Sequence, residues 1–62
     1  MKKINIKKLL NMHISKVVKN AIENGELNLF NATEWARKRN DGIKDLQYEN
    51  EVYALVEYYC YH

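Results

Sequence analysis

The chain has 62 residues, a net charge of +2, one cysteine, no proline and a mean hydropathy of −0.60. This length allows a single domain, and a domain of this size covers only about 60% of the surface that its unfolded chain exposes. With neither a disulfide pair nor a metal cluster to add stability, we expect part of it to come from self-association, as a homo-oligomer, or from a bound partner. No apolar run approaches the roughly 20 residues that a membrane span needs, so no membrane partner is expected.

Cellular location is indicated by the single Cys60 and by the amino end of the chain. One cysteine cannot form an intramolecular disulfide, and it suits a reducing compartment. The chain begins like a signal peptide, but Lys7, Lys8 and Asn11 interrupt the apolar segment. We therefore expect a cytoplasmic protein. The wealth of Lys, Asn, Ile and Tyr is typical of AT-rich bacterial, phage or mobile-element genes.

Charge is distributed unevenly along the chain. Residues 1–44 hold ten basic and four acidic residues, a net +6, whereas residues 45–62 hold four acidic residues and no base, a net −4. We expect the two halves to attract each other on folding and to leave a dipolar surface.

The first predicted helix covers residues 6–23. Apolar or amphipathic side chains recur there at helical spacing, at positions 6, 9, 10, 13, 14, 17, 18, 21 and 22. Asn24-Gly25 supplies the stop. A kink followed by a second helix from Ser15 is an alternative, but one helix is the simpler interpretation. Its opposite face carries Lys8, Asn11, Ser15, Lys19 and Asn20, with Lys16 beside them.

The second predicted helix covers residues 32–40 and contains the only Trp of the chain. Asn31 is placed to act as its N-cap, with Glu34 reaching back in a capping box. Phe30 and Trp35 have the spacing of a hydrophobic staple, which would hold the chain at the entry to the helix. These four residues are the expected structural anchors of the fold.

Both ends of this helix are marked by composition. Before it, Leu27, Leu29 and Phe30 are apolar enough that we expect the connection to fold back over the core. In its last turn, the helix dipole favours the basic cluster of Arg37, Lys38 and Arg39. Asp41-Gly42 then supplies the stop.

The third predicted helix covers residues 45–60. Apolar residues at helical spacing are Leu46, Val52, Tyr53, Val56, Tyr59 and Cys60. A strand over 52–61 is the competing interpretation, because Val and Tyr favour strands. Such a strand would be apolar on both faces, and a chain this short can hardly cover both. The sequence therefore predicts an all-α, three-helix bundle.

Catalytic and metal chemistry find little support. His13 lies on the apolar stripe, where a lone histidine is more often partly buried than reactive. Cys60 and His62 supply two zinc ligands, and His13 a distant third, whereas a structural site uses four. A Cys60–His13 nucleophile pair would lack an orienting group. With Gly25 and Gly42 the only glycines, no phosphate-binding loop is present. We expect no enzyme, no cofactor and no metal.

DNA binding is the main alternative function. It would use a basic surface built from Lys8, Lys16, Lys19, Arg37, Lys38 and Arg39. The second and third predicted helices can be drawn as a helix-turn-helix. However, the helix that would enter the major groove begins with Asp45, Glu49 and Glu51, which phosphates repel.

The stretch Phe30-Asn31-Ala32-Thr33-Glu34-Trp35-Ala36 resembles the "N-A-T-x-x-A" phrase of KilA-N-type DNA-binding domains of phages and large DNA viruses. The resemblance covers seven residues of the 62 and brings no functional residue with it. Ordinary helix capping also produces Asn-x-Thr before a helix.

Protein binding is the function that composition favours. Four of the five Tyr fall within 53–61, and by helical spacing Tyr58 and Tyr61 are left outside the core. Exposed Tyr near Arg is typical of binding hot spots, although Tyr rings can also lie flat over a small core. We therefore expect a non-enzymatic protein that docks on another protein and inhibits or modulates it. Arg37 and Lys38 would steer an acidic partner, and Tyr58 and Tyr61 would fill its pockets.

Overall fold

Four helices make up the computed structural model, which describes residues 4–61. They are α1 (Ile6–Leu10), α2 (His13–Glu23), α3 (Ala32–Arg39) and α4 (Leu46–Tyr61). The last is the longest, and each of the others packs against it, whereas α3 contacts neither α1 nor α2. Residues 4–61 contain no strand, so the prediction of a small all-α bundle, with residues 52–61 as helix, is confirmed.

The prediction of a single first helix over residues 6–23 is wrong, because the helix is broken at Asn11 and Met12. The Asn11 side-chain amide donates to the Lys7 carbonyl at 3.2 Å, which ends α1. Met12 is extended (φ −89°, ψ 155°) and begins α2 as its N-cap residue. An asparagine side chain that bonds to nearby backbone competes with the helical ladder, and this is the physical reason for the break.

Helix α2 buries Val18 and Ala21 of the predicted apolar stripe, but two other residues differ from the prediction. Ser15, predicted on the outer face, is only 2% exposed, whereas His13, predicted on the apolar stripe, is exposed to solvent. A buried hydroxyl needs a partner, and the Ser15 hydroxyl has one in a hydrogen bond with the Tyr59 hydroxyl of α4. Across residues 4–61, no buried side-chain nitrogen or oxygen is left without a partner.

The core is formed mostly by small and branched side chains around α4. Its buried members are Leu9, Val18, Ala21, Leu27, Ala32, Ala36, Val52, Leu55 and Val56. Leu27, at 2% exposure, and Leu29 pack on the core as expected for the connection after α2, whereas Phe30, expected to fold back with them, is fully exposed. Leu46, Tyr53 and Cys60, predicted on the apolar face of α4, are instead exposed. Since three helices pack on different sides of α4, its buried face is set by their positions as well as by periodicity.

The entry to α3 differs from the predicted capping arrangement. Phe30 is fully exposed and therefore cannot form a staple with the partly buried Trp35. Asn31 occupies the N-cap position, but its side chain makes no cap hydrogen bond. Glu34 does not reach back either, since its side chain is 71% exposed and pairs with Lys38. Of the four expected anchors, only Trp35 packs against the core.

Both predicted stops are confirmed. Helix α2 ends at Glu23, and Gly25 follows at φ +78°. Helix α3 ends at Arg39, and Asp41 and Gly42 follow at φ +56° and +77°. Gly42 N–H donates to the Arg37 carbonyl at 2.8 Å, so this turn closes the end of the helix.

Candidate functional site

The basic cluster of α3 is partly occupied by structural contacts. Arg37 pairs with Glu49 of α4, its Nη2 3.2 Å from Oε1 and its Nε 3.4 Å from Oε2. Glu49 is only 5% exposed and also accepts from the Asp45 backbone N–H at 3.3 Å. A buried carboxylate needs such partners, because an unpaired charge away from water is costly. Arg37 therefore holds α3 against α4, and its charge is largely balanced.

The next two basic residues are also engaged, but at the surface. Lys38 Nζ lies 3.3 Å from Glu34 Oε1, one helical turn earlier, and both side chains are more than 70% exposed. The Arg39 guanidinium lies over the Trp35 ring, 5.2 Å from its centroid. Exposed pairs of this kind contribute little energy, so Lys38 and Arg39 stay accessible to a partner.

The remaining basic residues of the DNA-binding hypothesis lie on other helices. Lys8 is exposed on α1, and Lys16 and Lys19 are exposed on α2. Because α2 and α3 pack on α4 and not on each other, the lysines of α2 and the basic cluster of α3 come from helices that do not touch. The structure does not bring the six basic residues together at one helix–helix contact.

The tyrosines of α4 have unequal environments. Tyr61 is 70% exposed and Tyr53 is 39% exposed. Tyr58 is partly buried and meets Tyr59 edge to face, with ring centroids 5.5 Å apart. Tyr59 is engaged in the hydrogen bond to buried Ser15. Of the two predicted pocket-filling residues, Tyr61 is therefore the more accessible.

Phe30 is the most exposed large apolar side chain of residues 4–61, with its full surface open to solvent. The turn that carries it is fixed by two asparagines. Asn28 Oδ1 accepts from the N–H groups of Phe30 and Asn31, at 2.8 and 3.1 Å. Asn31 Oδ1 accepts from Asn28 N–H at 2.8 Å, and its amide donates to the Glu26 carbonyl at 2.9 Å.

Sequence reasoning missed this turn because it assigned Asn31 to capping. The sequence does contain a signal for the turn, because one Asn lies two residues before Phe30 and another directly after it. Asn side chains commonly form hydrogen bonds with nearby backbone groups in turns. The reciprocal bonds place Phe30 at the tip of a closed turn. A side chain at such a tip is presented outward on a backbone that is already ordered.

A second apolar surface, which we name the α1–α4 groove, lies between α1 and the first part of α4. Its exposed apolar side chains are Ile4, Met12, Leu46 and Tyr53. Lys8 lies on the α1 wall, and Glu51 and Glu57 lie on the α4 wall. Sequence reasoning missed this groove because it assigned Leu46 and Tyr53 to the buried face of the last helix.

The candidate metal ligands are described in part. His13 and Cys60 are exposed on different helices, and His62 lies outside the described residues. Residues 4–61 contain no group of three His, Cys, Asp or Glu side chains placed to hold a metal ion. In the same residues, no helix has the length and apolar character required to cross a bilayer.

The fold and these surfaces define a small helical bundle with exposed apolar side chains. No protein-family model matches the chain, and no curated protein or solved structure is detectably similar to it.

Proposed function

We propose that the chain is a non-enzymatic binding protein that docks on another protein and modulates it, with Phe30 as the anchor of the contact. The observation that carries this proposal is a fully exposed phenylalanine on a turn closed by four side-chain-to-backbone hydrogen bonds. The proposed interface is therefore centred on the connection between α2 and α3, and no longer on Tyr58 and Tyr61 as the sequence suggested.

An exposed apolar residue is by itself ordinary on a protein surface. Phe30 differs because the side chains of Asn28 and Asn31 hold its turn closed through four hydrogen bonds to the backbone. Binding then has to order only the ring, and a rigid anchor loses less conformational entropy on association than a flexible one. Aromatic anchors that enter a pocket commonly dominate the energy of an interface.

The partner that fits is a protein with an apolar pocket the size of a phenyl ring and a polar rim. The exposed side chains of Asn28 and Thr33 flank the anchor in sequence and suit such a rim. Residues 24–31 contain Glu26 and no basic residue, so this surface does not itself select an acidic partner. Selection of an acidic partner would rest on Lys38 and Arg39, whose contacts are exposed and weak.

Site-specific crosslinking tests the proposal. A photoreactive phenylalanine analogue placed at position 30 should give one discrete adduct in a lysate of the source cells, because the ring would lie inside the partner's pocket. The same analogue at Ile43, which is 63% exposed in the connection between α3 and α4, is the matched control and should give none. Equal labelling from both positions, or no adduct from position 30, would contradict the proposal.

The variant Phe30→Ala separates binding from folding. Since the fully exposed ring makes no core contact, urea unfolding of the variant should match that of the wild type. Retention of the crosslink-identified partner on an affinity column should be lost. The DNA-binding alternative predicts a different result. The chain would retard a DNA duplex at low salt, the affinity would fall steeply as salt rises, and Lys16→Ala and Lys19→Ala would make that fall less steep.

A further inference from the structure

The α1–α4 groove has walls of opposite charge. Lys8 is exposed on the α1 wall, and Glu57 is exposed on the α4 wall, with the partly buried Glu51 on the same side. Within residues 4–61, none of these three side chains takes part in an ion pair. Between the walls, Ile4, Met12, Leu46 and Tyr53 expose apolar surface, from 39% for Ile4 and Tyr53 to 62% for Leu46.

We propose that this groove is the interface of a homodimer, in which a second copy of the chain covers it face to face. The charges of the two walls are complementary under two-fold symmetry. When two copies face each other, the symmetry axis lies in the plane of the interface. An axis along the groove places the α1 wall of each copy against the α4 wall of the other, so that the wall carrying Lys8 meets the wall carrying Glu51 and Glu57 on both sides.

An axis across the groove would give the opposite result. It would place α1 against α1 and α4 against α4, so that walls of like charge meet. Like charges across an interface are unfavourable, so the charges select the arrangement along the groove. The same operation stacks the apolar side chains of the two grooves in the centre, with the charged pairs at the rim, which is the usual anatomy of an interface.

The composition of the core supports a need for this contact. It consists of Ala, Val and Leu, and the five-residue α1 is too short to be stable except through packing. Helix α1 contributes only Leu9 to the buried set, and a second copy seated on the groove would cover the side of α1 that lines it. A dimer would therefore stabilise α1, and the thermal midpoint should rise with protein concentration.

This inference uses a different surface from Phe30 and is independent of the proposed function. Phe30→Ala should leave dimerisation unchanged, because Phe30 does not line the groove. The two proposals can accordingly fail separately.

The test is charge reversal followed by complementation in trans, measured by sedimentation velocity from about 5 μM to about 1 mM. Lys8→Glu and Glu57→Lys each place like charges together twice in their own homodimer, and each should weaken it about 10- to 100-fold. Both residues are exposed, so circular dichroism should show each variant folded. An equimolar mixture should form the heterodimer at close to wild-type affinity. In that heterodimer the glutamate introduced at position 8 of one chain faces the lysine introduced at position 57 of the other, and the second contact is native.

Restoration in the mixture cannot arise from contacts within one chain, so it supports the proposal directly. A wild-type chain that stays monomeric at about 1 mM would overturn it. So would single variants that dimerise as well as the wild type, or a mixture of folded variants that stays monomeric.

Discussion

The ion pair between Arg37 and Glu49 gives the most sharply defined stability prediction. Replacing Arg37 with Ala removes two of the three donors to a carboxylate that is 5% exposed, leaving only the Asp45 N–H. Breaking a buried pair by removing one partner costs about 3–5 kcal/mol. The Arg37 side chain is 43% exposed, so water can reach the vacated side of the carboxylate. We therefore expect a smaller loss, about 2–3 kcal/mol of unfolding free energy.

The adjacent residue supplies the control. Lys38→Ala removes an exposed pair with Glu34 on the same helix and should cost about 0.3–0.5 kcal/mol. Urea unfolding followed by circular dichroism is the suitable assay, because urea does not screen charges as guanidinium does. In a domain of this size, about 1 kcal/mol changes the thermal midpoint by about 4–8 °C. Arg37→Ala should therefore lower it by roughly 10–20 °C, and Lys38→Ala by no more than about 4 °C.

A paired substitution tests the reasoning further. Arg37→Met combined with Glu49→Leu removes both charges while keeping most of the volume, and should recover most of the stability lost in Arg37→Ala. Arg37→Ala and Lys38→Ala should differ clearly in unfolding free energy. If the two values agree within about 0.5 kcal/mol, the assignment of Arg37 to a structural role is refuted.

Three further predictions use the same urea assay. Leu55→Ala, at a fully buried position, should cost about 2–5 kcal/mol, and a loss below about 1 kcal/mol would contradict the packing of the core around α4. Tyr59→Phe leaves the buried Ser15 hydroxyl without its partner and should cost about 1–2 kcal/mol, most of which Ser15→Ala should restore in the double variant. In Gly42→Ala the added Cβ has no atom within 4 Å, but the residue stays at φ +77°. Backbone strain alone should therefore lower the unfolding free energy by about 1 kcal/mol, and no loss would show that the turn relaxes.

Local signals were read correctly from the sequence. Gly25 and Gly42 follow the ends of α2 and α3 in the left-handed region, where glycine is favoured. The uneven charge distribution was also informative, because the buried ion pair joins a basic residue of 1–44 to an acidic residue of 45–62. Each of these expectations depends on a nearby residue type or on a net charge, and neither needs knowledge of the packing.

Expectations that required choosing among several roles for one side chain were less successful. Asn11 could point outward from a continuous helix or end it, and only the observed bond to the Lys7 carbonyl decides between them. Asn31 likewise could cap α3 or close the preceding turn, and closing the turn exposes Phe30.

The candidate site shows the same dependence on packing. Sequence reasoning placed Arg37 at the surface as a steering charge, whereas its partner Glu49 lies twelve residues further along, in another helix. No local pattern predicts that pairing. Leu46 and Tyr53 were likewise assigned to the apolar face of the last helix, whereas they lie with Asn50 and Glu57 on the exposed face of α4.

The central claim is that Phe30 anchors this protein on another protein. Isothermal titration of the crosslink-identified partner with the wild type, Phe30→Ala and Ile43→Ala tests it most directly. Burying a Phe side chain contributes about 1.5–3 kcal/mol, so Phe30→Ala should weaken binding by about 10- to 150-fold, while Ile43→Ala binds like the wild type. Equal affinities for the wild type and Phe30→Ala, with both chains folded, would contradict the claim.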